Sequence, residues 1–123
     1  MVHTITPSPD GQYIILKIIG DITRNLAMQY NLEAHKTGEQ LDINKYLEDL
    51  TESRNVDNPI DSYEFAYDDM QTTPGIDRFA RVAVLVSPDD HTHNFIETVT
   101  QNTGLDVTLF RDREQAINHL LQA

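Results

Sequence analysis

The chain has 123 residues, 39% of them hydrophobic, which suits a single domain over 1–123 with a core that needs no staples. It has no cysteine, so disulfides, thiolate catalysis and Cys-ligated zinc are excluded. Twenty acidic residues against nine Lys and Arg give a formal net charge of -11, which argues against nucleic acid and anionic membrane as partners. That acidity suits plain solubility or a protein partner with a basic contact surface.

No stretch has the basic and apolar regions of a signal peptide, and none approaches membrane-spanning length, so a cytoplasmic protein without membrane insertion is expected. Val2 to Thr6 reads as an edge strand stopped by Pro7, and Ser8-Pro9-Asp10-Gly11 as a turn. Tyr13 to Gly20 is a second apolar strand, completing an antiparallel hairpin. Asp21 and Thr23 are candidate N-caps for a helix from about Arg24 to Lys36, with Leu26, Ala27, Tyr30 and Ala34 on its buried stripe. Gly38 stands where a left-handed C-terminal cap is expected.

Leu41 to Ser53 fits two readings. Ile43, Leu47 and Leu50 suit a helix face, and Glu48-Asp49 has little strand propensity. A parallel sheet needs a strand between two helices, so Tyr46 to Thr51 is read as strand. Arg54 to Asn58 follows as a polar loop, and Pro59 suits a first helical position. Ile60, Tyr63, Ala66, Tyr67 and Met70 line one helical face, which ends at Thr72-Thr73-Pro74-Gly75.

Arg78 to Asp89 organises the rest. Its middle is an apolar run rich in β-branched residues, ended by Ser87-Pro88-Asp89, so Phe79 to Val86 is expected in the middle of a mostly parallel sheet, covered on both faces. Phe95, Ile96, Val99 and Thr100 give another amphipathic helix, closed by Asn102-Thr103-Gly104. Leu105 to Phe110 makes the last strand, and Asp112 caps a terminal helix with Ala116, Ile117, Leu120 and Leu121 facing inward. The order ββαβαβαβα predicts an α/β fold with a mixed five-stranded sheet, an N-terminal β-hairpin and about four helices.

The most suggestive polar cluster is Asp89-Asp90-His91-Thr92-His93, at the carboxyl end of the central strand, where open α/β sheets bind ligands. Two imidazoles and a carboxylate could hold a divalent metal. However, His91 and His93 lie two apart at a helix start and would not share a face. Asp89 and Asp90 are also ordinary first-turn residues, favoured by capping and the helix dipole. No metal site is therefore expected, and Asp89, Asp90, His91 and His93 stand as ligand-binding candidates. Thr51 and Ser53, at the loop after a strand, carry hydroxyls that can take a phosphate or satisfy loop backbone groups. Tyr63, Tyr67 and Met70 form a stripe that suits a core or a groove for a lipid or partner. Gly20-Asp21-Ile22-Thr23 lacks the further glycines and the Lys of a phosphate loop, and no serine has nucleophile-elbow flanks. The scattered carboxylates single out no acid–base pair, so no catalytic residue and no cofactor are expected.

Arg81 to Val86, a following helix, Gly104, and Val107-Thr108-Leu109-Phe110-Arg111-Asp112-Arg113-Glu114-Gln115-Ala116-Ile117-Asn118-His119-Leu120 together resemble the SpoIIAA-like (STAS-related) family of small bacterial proteins. The hairpin–helix opening and the strand end at Asp49-Leu50-Thr51 match the same arrangement, and His119 departs from the family's usual Trp. The resemblance implies a non-enzymatic switch or docking module. Anti-sigma-factor antagonists of that superfamily are phosphorylated on a Ser in an Asp-Ser-Ser-Gly-like loop after the third strand. Here Thr51-Glu52-Ser53-Arg54-Asn55-Val56-Asp57-Asn58 stands in that place, leaving Thr51 and Ser53 as phosphorylation candidates. The broader fold group also holds lipid carriers related to Sec14. The expectation is a regulatory protein–protein interaction module, with binding of a small apolar ligand or lipid as the alternative. The edge strand of the hairpin suits a homodimer.

Overall fold

A five-stranded sheet in the order β1-β2-β3-β4-β5 organises the computed structural model, which describes residues 2–96, 98 and 104–122, with the backbone alone at 59, 63, 66, 67 and 71. The strands are β1 (Val2–Pro7), β2 (Ile14–Ile22), β3 (Lys45–Asn55), β4 (Arg81–Val86) and β5 (Asp106–Phe110). β1 runs antiparallel to β2, and every other pairing is parallel, as the element order predicts. Gly11 closes the hairpin turn at φ 71°, a left-handed conformation that glycine adopts without a Cβ clash, and its amide donates to the Ser8 carbonyl over 2.9 Å.

Thr23 caps α1 (Arg24–Leu41), its hydroxyl accepting from the Leu26 amide. Asn58 caps α2 (Pro59–Glu64) in the same way through the Asp61 amide, with Pro59 at its start. This helix passes through a π-helical segment (Phe65–Asp69) into α3 (Met70–Thr72). Asp112 caps the terminal helix α4 (Arg113–Leu121), accepting from the Glu114 and Gln115 amides. These account for three of the four expected helices. Of the expected helix between β4 and β5, Phe95, Ile96 and Thr98 are helical, while Val99, Thr100, Asn102 and Thr103 lie outside the described residues.

The pleat sends alternate β2 residues to opposite faces. Ile14, Leu16 and Ile18 pack with Tyr46, Leu50, Val82, Val84 and Val86 beneath Tyr30 and Ala34 of α1. On the other face Leu47, Ala83 and Leu85 pack beneath Ala116 and Leu120 of α4. β4 is thus covered on both sides, as its apolar run requires.

Several local expectations are corrected. α1 continues past Lys36 to Leu41, and its left-handed cap is Asp42 at φ 57°, with Gly38 inside the helix. Gly38 is required there because the Tyr46 ring comes against the helix backbone. A Cβ at Gly38 would overlap the Tyr46 hydroxyl and stand 2.6 Å from the Ile43 carbonyl oxygen. β3 extends from Lys45 through Asn55, so Thr51, Ser53 and Arg54 are strand residues and not loop. Phe79 lies outside β4 and is 82% exposed, its ring under the Arg78 guanidinium at 5.4 Å, so the covered run begins at Ala80. Leu121, expected to face inward, is 37% exposed, because Ala116 and Leu120 take the face that meets the sheet. Ile60 also points outward, and the side chains of Tyr63, Ala66 and Tyr67 lie outside those described.

Gly38→Ala is expected to destabilise the protein by about 1–3 kcal/mol through overpacking against Tyr46. Gly11→Ala meets no atom within 4 Å of its Cβ and is expected to lose only the turn preference, about 1 kcal/mol. Urea unfolding of both variants checks the order.

Candidate functional site

β3 lies in the middle of the sheet, and its register against β2 changes along its length. Lys17 pairs with Asp49 but Ile19 pairs with Glu52, so β3 holds one extra residue at that point. Such a bulge reverses the strand's alternation. Before it, Tyr46, Glu48 and Leu50 face α1; beyond it, Asn55 shares that face, opposite Ile22. One strand thereby delivers Glu48 and Asn55 to the same side at two depths.

Between this face, α1 and the π-helical segment lie two adjoining cavities of about 50 Å³ each. Glu48, Asn31, Phe65, Phe95 and Ile96 line both. The first runs from Glu48 to Asn55, Asp57, Thr23 and Arg24 at the carboxyl edge of the sheet. The second goes deeper, walled by Met70, Val82, Val84, Leu105 and Val107. The π-helical segment shapes this wall: Phe65 and Met70 are five residues apart, which an α-helix would turn to different sides, yet both border the second cavity.

Glu48 keeps part of its surface accessible, and that surface faces these cavities. Burial among apolar walls pushes its carboxyl up from an ordinary 4.5 to about 7, offset in part by a hydrogen bond from the Asn31 side chain. Asn31 in turn donates to the Ala27 carbonyl at 2.8 Å, which fixes its amide. His93 borders the first cavity and is 3% exposed. Burial holds its imidazole below the usual histidine range, opposed by the charge of Asp90. Its Nε2 stands 3.8 Å from Asp90 Oδ2, beyond hydrogen-bond reach, and both atoms are buried without a hydrogen-bond partner.

Of the four sequence candidates in the β4 loop, Asp90 and His93 are buried together, while Asp89 and His91 are exposed. Asp90 Oδ1 accepts from the Thr92 amide at 2.8 Å and its hydroxyl at 2.7 Å, a local cap. Burial alone would raise the Asp90 carboxyl, but these bonds and the charges of His93 and Arg54 bring it below its ordinary value. His91 turns away to Asn94, 3.3 Å from Nδ1, so the two imidazoles do not converge. No group of three His, Cys, Asp or Glu suited to a metal occurs among the described residues. Thr51 donates its hydroxyl to Asp49 at 2.7 Å, and Ser53, buried in β3, donates to the Gly20 carbonyl at 2.6 Å. Both candidate hydroxyls are therefore engaged inside the sheet. Sequence reasoning missed Glu48, Asn31, Asn55 and Phe65. The signal for Glu48 was a carboxylate at an inward position of a central strand.

The raised carboxyl of Glu48 fixes a sign. The folded protein holds this proton more tightly than the unfolded chain, so its stabilising effect is full below about pH 4.5 and is lost as pH rises to about 7. At about 1.4 kcal/mol per pH interval of one, the loss is about 3 kcal/mol. His93 acts oppositely, costing stability as pH falls below its ordinary value. It is common to wild type and Glu48→Gln and cancels in their difference. Glu48→Gln is expected to gain about 3 kcal/mol over wild type between pH 4 and pH 8, read from denaturant unfolding across that range. A difference that stays constant with pH would contradict this assignment.

No family model matches the chain, and no curated protein matches it by sequence. Solved structures do. An uncharacterised protein of the DUF3478 family from Shewanella loihica PV-4, described as having a SpoIIAA-like fold, superposes with a TM-score of 0.58 at 19% identity, covering 97% of this chain and 92% of its own. The anti-sigma factor antagonist SpoIIAA, in its unphosphorylated form, superposes with a TM-score of 0.57 at 9% identity, covering 99% of this chain and 100% of its own. At these identities the likeness is one of architecture, and it agrees with the strand order and pairing: the chain has the SpoIIAA-like fold.

Proposed function

We propose that the protein is a non-enzymatic regulatory module that docks onto another protein through the β3–α2 connection. The observation that carries the reading is an apolar pair held in water: Val56 is 53% exposed and Ile60 is 70% exposed. Asp57, Asp61 and Glu64 surround the pair in sequence, so the surface is apolar with an acidic rim and suits a partner that is apolar with a basic rim. Of the cations nearby, Arg24 already pairs with Asp69 at 2.7 Å and with Glu64, and beside Arg54 the three acids remain in excess. The fold shared with an anti-sigma factor antagonist supports a docking role. A second reading, binding of a small apolar ligand, is favoured by the divided cavity around Glu48.

The test pairs Val56→Asp with Ile60→Asp. Both side chains are exposed, so stability is expected to change by no more than about 0.5 kcal/mol per site. Affinity capture from the source cells, comparing wild type with the double variant, identifies the partner that depends on these positions. Its Kd is expected to rise at least about tenfold in the double variant, and to rise with salt. A partner bound equally by both proteins would refute this surface.

A further inference from the structure

We propose that the two cavities flanking Glu48 form one binding site for a small amphiphile, a short apolar chain with a single hydrogen-bond-donating head, either a hydroxyl or an ammonium group. The inference rests on the ligand-binding reading and adds to it the chemistry of the head.

Three observations carry it. The walls are largely apolar, from Ile18 and Leu50 in the first cavity to Val84 and Val107 in the second, with Thr23, Arg24 and Asp57 at the carboxyl edge of the first. The polar groups converge: Glu48 and Asn31 border both cavities, and His93 borders the first. A pocket of this kind, apolar with a few convergent polar groups, is the usual form of a small-molecule site. Its position also fits, since the first cavity reaches the carboxyl edge of the parallel strands, beside Asn55 and the start of α1.

The head follows from the acid. Above about pH 7 Glu48 is mostly ionised and only accepts hydrogen bonds, and a ligand carboxylate beside it would put two like charges in an apolar enclosure. A hydroxyl or ammonium donates to Glu48 and relieves the desolvation that its charge suffers among these walls. The size follows from the volume. An apolar cavity of about 150 Å³ holds benzene, six heavy atoms, so two cavities of about 50 Å³ together hold a ligand of about four. Three carbons and one head atom meet that limit.

The experiment titrates the labelled full chain at about pH 8.5, where Glu48 is ionised, with 1-propanol, propylammonium and acetate, four heavy atoms each, following the backbone amides of Asn31, Phe65 and Ile96 by NMR. Saturable shifts centred on these amides are expected for propanol and propylammonium, with a Kd on the order of millimolar, and acetate at least about tenfold weaker. In Glu48→Leu the preference for a donor head is expected to vanish. Ala27→Leu, which fills the first cavity from α1 and leaves the acid in place, is expected to weaken the donor ligands at least about tenfold and keeps the test open should the Glu48→Leu variant fail to fold. Acetate binding as tightly as propanol would overturn the head-group inference and leave the ligand reading standing. No saturable shift with any of the three, or shifts centred away from these amides, would overturn both.

Discussion

Two adjacent acids in the central strand set the terms for the rest of the molecule. β3 has neighbours on both edges and packed layers on both faces, and the pleat sends Glu48 towards α1 and Asp49 towards α4. A carboxylate taken from water costs several kcal/mol unless polar groups replace the lost hydration. Asp49 is 2% exposed and fully provided for, with the Thr51 amide at 3.1 Å, the Thr51 hydroxyl at 2.7 Å and the Arg113 guanidinium. Burial raises its carboxyl, and these partners more than reverse the effect, so it ends below its ordinary value. Glu48 meets the Asn31 amide inside apolar walls and ends near neutral pH. One strand thus holds a closed solution and an open one to the same electrostatic problem.

The space around Glu48 follows from how its face is covered. Small Ala27 stands on α1 over the first cavity, while the π-helical segment brings Phe65 over the boundary between the two. The β3 bulge then turns Asn55 into the same face, so the cavity meets the sheet's carboxyl edge at a polar side chain and not at an apolar plug. Each irregularity on its own would be a packing detail. Together they leave a carboxyl group exposed to a cavity that is too small for bulk solvent.

The fold was legible where chemistry is local. Pro7 and Gly11 mark the hairpin, Thr23, Asn58 and Asp112 occupy the caps their hydroxyl, amide and carboxylate groups suit, and the apolar run before Ser87 is the doubly covered strand. β3 was legible only through topology, because Glu48 and Asp49 lower strand propensity and the strand tolerates them through tertiary partners. The site was harder to see for a related reason. A bulge and a π-turn each change the phase of an element by about one residue, and no periodicity in the sequence announces either. Gly38 shows the same limit, since what excludes a side chain there is a tyrosine eight residues away. The spacing of His91 and His93 was informative, and the two rings do diverge.

The proposed docking surface and the cavity share Asn55. Its side-chain amide donates to Ser62 Oγ at 2.8 Å and to the Thr92 carbonyl at 3.2 Å, its backbone amide donates to Thr92 Oγ1 at 3.0 Å, and its Oδ1 accepts from the Asp57 amide at 3.2 Å. Val56 sits between Asn55, which is tied to α2 and to the β4 loop, and Asp57, which is tied to Asn55 and accepts from the Arg24 amide at the start of α1. Its exposure is therefore a fixed feature of the connection. Ordering a loop costs about 1–2 kcal/mol per residue, and a connection already held by four hydrogen bonds has met much of that cost before a partner arrives. An apolar side chain presented on such a frame contributes its contact energy to docking with little deducted. The same frame forms one wall of the space beside His93, so the residues that hold Val56 outward also close the cavity inward.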